Sequence, residues 1–326
     1  MTKDFNSLDD ILSVLKTSLQ PLQKKVEHDF EKTKFPLGFI VGNPRSGTTL
    51  FLQYLASLGC FAYPSNTLAR FAYAPFYGAL IQQMLLNNQF DPIGELDKNE
   101  ESISFESNLG KNKGLLAPNE FQHFFRNYIP NYFPQYINTD DFNKIDFVSL
   151  ESGFASIETV FNKPFVTKAM MIQYNLVDFY HKLPNSIFFY IKRDPLYVMQ
   201  SIYMAREKYF GDIEKWWSVK PKEYEQLKDL DIYHQIAGQV YFTEKSLEAE
   251  LKQIPEKNKI VINYEEFCNN PAIFSNQIRE TYKKNNCEIP KVGSFNANFQ
   301  NTNKLKINKN AFERLSKAYD EISTCF

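Results

Sequence analysis

The stretch GFIVGNPRSGTTLFLQYLASLGC, Gly38 to Cys60, constrains this chain more than any other. Gly38, Phe39, Ile40 and Val41 form the short apolar run of a strand buried on both faces. Gly42 to Gly47 is a turn with two glycines and a proline. From Thr48 the spacing predicts an amphipathic helix, with Leu50, Tyr54, Leu55 and Leu58 on one face and Gly59 as its stop. A strand, a glycine turn and a helix start in direct succession aim several backbone N–H groups and a positive helix end at one point. That is a cradle for a phosphate-like anion.

The cradle departs from the common P-loop, G-x-x-x-x-G-K-[ST], whose lysine and hydroxyl serve the phosphates and Mg²⁺. Gly42 and Gly47 keep the spacing, but Thr48 stands in the lysine's place and the cation lies inside the turn, at Arg45. The bland alternative is a strand–helix turn that happens to contain two glycines. It leaves unexplained a cation, three hydroxyls and a flexible residue within the five positions Arg45 to Thr49.

With 326 residues, the chain is long enough to bury a sizeable core. A single domain over 1–326 is expected. A helical segment occupies 1–34, a helical and lid insertion 67–163, and the nucleotide-binding core 35–66 and 164–326. The net charge of −1 gives no support to a nucleic-acid partner. Cys60, Cys268, Cys287 and Cys325 show neither metal-ligand nor disulfide spacing, so reduced thiols and no metal are expected. No secretion signal and no apolar run of membrane-spanning length is visible, so a cytoplasmic protein without a membrane span is expected. Thirty Phe and 19 Tyr imply a large aromatic core, with room for an aromatic-lined pocket.

Ser7 and Asp10 form a capping box before a helix whose apolar face is Leu8, Ile11, Leu12, Leu15 and Leu19, with Pro21 ending or kinking it. Two helices interrupted by Pro75 are read over 67–88, a polar loop or lid over 91–118, and an aromatic helix over 119–128. Strands are predicted at Phe165–Lys168, Ile187–Ile191 and Lys259–Ile262. Helices are predicted over 174–183, from Pro195 to Tyr209 with Asp194 as cap, over 231–251, from Pro271 to Lys284, and from Lys309 onward. Strands separated by helices argue for an α/β fold, a three-layer parallel sheet with a P-loop-like strand-loop-helix.

A second motif follows the Ile187–Ile191 strand: Arg193-Asp194-Pro195, with Ser201 about two helical turns further on. An arginine at a strand's carboxyl end with a hydroxyl on the same side makes a second anion site. The alternative is a surface ion pair between Arg193 and Asp194 or a neighbouring acid. A third segment, Tyr264-Glu265-Glu266-Phe267-Cys268-Asn269-Asn270-Pro271, follows the last strand.

Pro44-Arg45-Ser46-Gly47-Thr48-Thr49, Arg193-Asp194-Pro195 with Ser201, and the Tyr264 segment together resemble the sulfotransferases that use 3′-phosphoadenosine 5′-phosphosulfate (PAPS). The likeness runs from about Phe35 to Lys284. Its loop is closer to the tyrosylprotein and bacterial branch than to the cytosolic one, since Arg45 replaces the latter's lysine. The resemblance implies that Arg45, Ser46, Gly47, Thr48 and Thr49 hold the 5′-phosphosulfate, and that Arg193 and Ser201 hold the 3′-phosphate. It implies that Tyr264 lies near the adenine and that a basic residue of the late loop, Lys304 among Asn301, Lys304 and Lys306, adds a 3′-phosphate contact. The region 67–163 would then form an acceptor lid.

The general base does not follow the family pattern. The branches with a glutamate about 20 residues past the loop cation have no counterpart here, where Tyr63 to Thr67 contains no acid. The cytosolic branch's histidine is replaced near Lys168, which is read as a contact to a sulfuryl or phosphate oxygen. Glu120 and His123, three apart on one face of the expected helix after the lid, are the candidate bases, with Glu106 ranked below them. The plainer readings are a solvated helix start for Glu120 and aromatic packing for His123. Trp216-Trp217 is read as core packing ahead of pocket lining. The expected activity is sulfuryl transfer from PAPS to a hydroxyl or amine of a small-molecule, glycan or natural-product acceptor. A P-loop small-molecule kinase and a non-catalytic nucleotide-binding protein are the alternatives.

Overall fold

The computed structural model describes residues 5–91, 93, 112–131, 133–290 and 299–325. At its centre lies a four-stranded, fully parallel sheet in the order β2-β1-β3-β4. The strands are β1 (Leu37–Gly42), β2 (Val166–Lys168), β3 (Ser186–Lys192) and β4 (Lys259–Asn263). The longer helices are α1 (Leu8–Val26), α2 (Thr48–Ser57), α3 (Pro75–Leu86), α4 (Phe147–Phe161), α5 (Leu176–Lys182), α6 (Pro195–Phe210), α7 (Ile232–Lys252), α8 (Pro271–Lys284) and α9 (Lys309–Cys325).

The alternation of side chains along the strands builds the three layers. Leu37, Phe39, Val41, Phe188 and Tyr190 pack into a core with Phe154 of α4, Phe179 of α5 and Leu247 of α7. Ile40, Ile187, Phe189, Ile191 and Ile262 pack into a second core with α2 and α8. Both faces of β1, β2 and β3 are covered, which is why they read as continuous apolar runs, whereas the edge strand β4 alternates and leaves Val261 exposed. β1 tolerates no side chain at Gly38, where an added Cβ would meet Val166 Cγ1 at 2.6 Å and Phe189 Cε2 at 2.9 Å.

Several elements differ from the sequence reading. The capping box forms, with the Ser7 side chain accepting from Asp10 N, but α1 runs through Pro21 to Val26 rather than ending there. α2 is buried continuously from Phe51 to Ala56 instead of along one face. It is wedged between the sheet and the segment after β4: Phe51 packs on Phe189 and Phe267, and the Tyr54 hydroxyl donates to the Pro271 carbonyl at 3.0 Å. α4 has no counterpart among the individually predicted helices, although Phe147, Leu150, Phe154, Ile157 and Phe161 recur at helical spacing. The aromatic helix expected over 119–128 shrinks to Gln122–Phe125, because Phe121 adopts a left-handed φ of 55°. Most of the expected lid, with Glu106, lies outside the described residues.

Candidate active site

β1 and β3 are neighbours, yet the chain leaves β1 toward β2 on one side and reaches β3 on the other. The crevice above their carboxyl ends is the place where open α/β sheets bind ligands. The turn after β1 and the start of α6 after β3 meet there.

The turn is tight. Ser46 N donates to the Asn43 carbonyl at 3.1 Å, Arg45 takes a left-handed φ of 70°, and Gly47 a φ of 104°. Gly47 has no substitute, since a Cβ would stand 2.5 Å from Tyr264 Cδ2. The left-handed Arg45 costs about 1 kcal/mol in a non-glycine residue, and it turns the guanidinium toward α6. Its Nε donates to Ser201 Oγ at 3.0 Å. Arg193 Nη1 donates to the Arg45 carbonyl at 2.8 Å, so the two predicted anion sites are one assembly.

Arg193 is held from below and behind. Its guanidinium lies over the Tyr264 ring at 4.4 Å, its Nε and Nη2 donate to Asn303 Oδ1 at 2.9 and 2.7 Å, and Nη2 also donates to Thr302 Oγ1 at 3.1 Å. Asn303 is oriented in turn by Glu265, whose Oε1 accepts from Asn303 Nδ2 at 2.6 Å and from Asp194 N at 3.2 Å. The alternative reading, an Arg193–Asp194 ion pair, does not form; the Asp194 carboxylate caps α6 through Leu196 N. Among the described residues, neither Arg45 nor Arg193 has a carboxylate within ion-pair distance. Burial, and for Arg45 also the charge of Arg193, lowers both guanidinium pKa values. Arginine starts high enough that both remain cations at neutral pH.

Lys168 ends β2 beside the cradle. It is buried, donates to Thr49 Oγ1 at 3.2 Å and pairs with the Glu120 carboxylate. Gln122 Nε2 donates to the other Glu120 oxygen at 2.8 Å. Burial alone would raise the Glu120 pKa, but Lys168 and Arg45 pull it below the usual glutamate range. The Glu120 side chain keeps 39% of its surface exposed, facing the crevice. His123 lines the same wall, and the partial desolvation of its ring together with Arg126 lowers its pKa, leaving a neutral imidazole at pH 7. Glu120 and His123 do not share a helix face, because the left-handed Phe121 intervenes.

These groups border one cavity of about 1830 Å³. Arg45, Gly47, Thr48, Thr49, Glu120 and Lys168 line it, as do His123, Arg193, Ser201 and Tyr264. Ser46 is not on its wall; the Ser46 hydroxyl is buried with no partner among the described residues. Lys304 is also off the wall, its carbonyl accepting from Gln200 Nε2 at 2.9 Å, while Lys306 lies on it. Trp216 and Trp217 both pack in the α6–α7–α9 core and line the cavity. Sequence reasoning missed Thr302 and Asn303. They touch Arg193 across a separation of 109 and 110 residues, and no local pattern announces that contact.

The fold and site define an α/β protein with a parallel sheet, whose glycine turn and linked arginines converge on one crevice. The chain belongs to the sulfotransferase family, whose model matches residues 36–282. No curated protein sequence matches it. Sulfotransferase STF1 from Mycobacterium tuberculosis superposes with a TM-score of 0.53 at 12% identity, over 96% of this chain and 80% of that one. Sulfotransferase STF9 from Mycobacterium avium does so with a TM-score of 0.53 at 11% identity, over 96% and 76%. At such identities the likeness is one of fold.

Proposed function

We propose that the chain transfers a sulfuryl group from PAPS to a hydroxyl or amine of a small-molecule, glycan or natural-product acceptor, releasing adenosine 3′,5′-bisphosphate. The observation that carries this reading is the linked pair Arg45 and Arg193, two half-buried guanidiniums without carboxylate partners among the described residues. Uncompensated buried cations are costly unless an anion meets them. Two such cations, joined through the Arg45 carbonyl but served by different elements, suit a ligand with two anionic ends.

The residues present fit that donor. The cradle donors at Thr48 and Thr49, with Thr49 Oγ1 and Lys168 Nζ, would hold the 5′ end. Arg193, fixed by Asn303 and Thr302 and stacked on Tyr264, would hold the 3′-phosphate. The expected role of Ser201 shifts toward the first site, since its hydroxyl orients Arg45. Bound PAPS supplies an activated sulfuryl group and a phosphate leaving group. Arg45 and Lys168 stabilise negative charge where it accumulates during transfer. Glu120 takes the acceptor's proton: it is ionised, faces the cavity and touches the same lysine that touches the cradle.

Calorimetry tests the donor assignment. Adenosine 3′,5′-bisphosphate should bind with equal affinity with and without Mg²⁺, and more tightly than ATP. A preference for Mg-ATP would replace this reading with a kinase. Transfer of labelled sulfate from PAPS to an acceptor panel then separates an enzyme from a binding protein.

A further inference from the structure

The cavity wall has a charge composition unlike the rest of the chain. The whole sequence is balanced, with 37 Lys and Arg against 38 Asp and Glu. The described wall carries eight Lys and Arg and one carboxylate, Glu120. Arg45, Lys168 and Arg193 belong to the donor cradle, and Lys306 stands beside the loop that holds Arg193. Arg70, Arg126, Lys208 and Lys220 also line the cavity, outside the cradle. The acids at 95–106 lie outside the described residues, so the count is of the described wall.

The volume leaves room for a second molecule. About 1830 Å³ is well above the roughly 300–1,000 Å³ typical of a pocket for one small ligand. A line of hydrogen bonds leads from the cradle to Arg126. Thr49 meets Lys168, Lys168 meets Glu120, Glu120 Oε2 accepts from Gln122 Nε2 at 2.8 Å, and Gln122 Oε1 accepts from Arg126 Nη2 at 3.2 Å. Arg70 is brought to the same wall because the two segments are laced together: Asn119 Nδ2 donates to Asn66 Oδ1 at 2.9 Å, and Asn127 Nδ2 to the Ala72 carbonyl at 2.8 Å. Among the described residues Arg70 has no carboxylate within ion-pair distance.

The facing wall is aromatic with cations set into it. Lys220 stands 4.3 Å above the Tyr224 ring, and Trp216 packs edge-on against Tyr224 at 4.8 Å. Behind Trp216, at 5.1 Å, lies the fully buried guanidinium of Arg206, whose Nε and Nη2 have no partner among the described residues. No carboxylate pairs with it there, so its charge adds to the field of that wall.

We propose that the acceptor is an anion. It is a hydroxylated molecule with an apolar or aromatic body and a carboxylate or phosphate group, and Arg70 and Arg126 bind that group. The anionic group lies from the reacting hydroxyl at about the width of one carboxamide plus a hydrogen bond at each end, the span that the Gln122 amide bridges between Arg126 and Glu120. This deepens the sulfotransferase reading of the same cavity and rests on it.

The test uses matched pairs on the full chain saturated with adenosine 3′,5′-bisphosphate for binding, or supplied with PAPS for transfer. One pair is 4-hydroxyphenylacetate and 4-hydroxyphenylacetamide; the other is 6-hydroxyhexyl phosphate and 1,6-hexanediol. The charged member of at least one pair should bind about tenfold more tightly and be favoured as much in kcat/KM, with the ratio falling as salt rises. Arg70→Gln and Arg126→Gln should each shrink the ratio severalfold and leave bisphosphate affinity unchanged. Arg70→Lys and Arg126→Lys should keep part of it, and thermal midpoints check that every variant is folded. Equal binding within both pairs overturns the proposal, whether or not turnover is seen, and so does a ratio that survives both glutamine variants. Those outcomes leave the donor assignment standing. Failure of the wild-type chain to bind the bisphosphate overturns the donor assignment, and the anionic acceptor with it.

Discussion

The two ends of β1 meet the same electrostatic problem with opposite charges. At the carboxyl end, Arg45 and Arg193 are half-buried with no carboxylate paired to them among the described residues. At the amino end, Glu158 is 1% exposed, accepts from Lys34 N at 3.1 Å and Phe35 N at 3.4 Å, and has no cation within ion-pair distance among the described residues. Burial acts on the two ends differently because their starting pKa values differ. Lowering an arginine pKa from 12.5 still leaves a cation at neutral pH, so that end keeps its charge for a ligand. Burial pushes the Glu158 carboxyl up to about 8, so that end is neutralised by a proton. An unpaired buried charge marks a functional end of the sheet only when a proton cannot remove it.

The largest effects are expected at the charged end. Arg45→Gln should lower turnover by about 10²–10³-fold, the range for removing one donor to developing negative charge. Arg45→Lys should recover part of it, and a glutamine variant with wild-type turnover would break the contrast between the two ends. Glu120→Gln should cost about 10²-fold in kcat with bisphosphate affinity retained, while His123→Ala stays within about twofold. A pH profile sharpens this assignment. With the Glu120 pKa lowered by its cations, activity should persist on the acid side below the ordinary glutamate range; an acid limb above that range, on the low side of an ordinary histidine, would move the base to His123. Arg193→Gln should weaken bisphosphate binding about tenfold or somewhat more, the loss of charge-assisted hydrogen bonds to one phosphate.

The same contrast decides what the sequence could reveal. The cradle was legible because a strand, a glycine turn and a helix start are consecutive, and β1 and α2 fall where the pattern put them. Arg193 and Tyr264 were legible because each directly follows an apolar strand. The partners of Arg193 were not, since Thr302 and Asn303 arrive from a distant loop. The wall proposed to meet the acceptor was read least well. Its residues stand on four-residue helices and left-handed turns, where periodicity has nothing to repeat, so the Phe121 kink separated Glu120 from His123. Glu158 was invisible too: as one acid in a helix that escaped individual notice, it gains meaning only from the backbone amides it meets.

That buried acid supplies the smallest expected effect, one on stability alone. The sign follows from linkage. The Glu158 pKa is raised from its usual value near 4.5 to about 8 in the folded chain, so the native state holds a proton that the unfolded state releases. Its stabilising contribution is therefore complete below about pH 4.5 and is lost as pH climbs through about 8. The slope in between is at most about 1.4 kcal/mol per pH unit. Glu158→Gln keeps an oxygen to accept from Lys34 N and Phe35 N but cannot ionise. Urea unfolding between pH 5 and 9 should find the variant equal to or slightly less stable than wild type at the acid end and more stable at the alkaline end, with transfer activity unchanged. If the wild-type and variant curves run parallel, the carboxyl is already ionised in the fold. The amino end of β1 would then carry an unpaired charge just as the carboxyl end does.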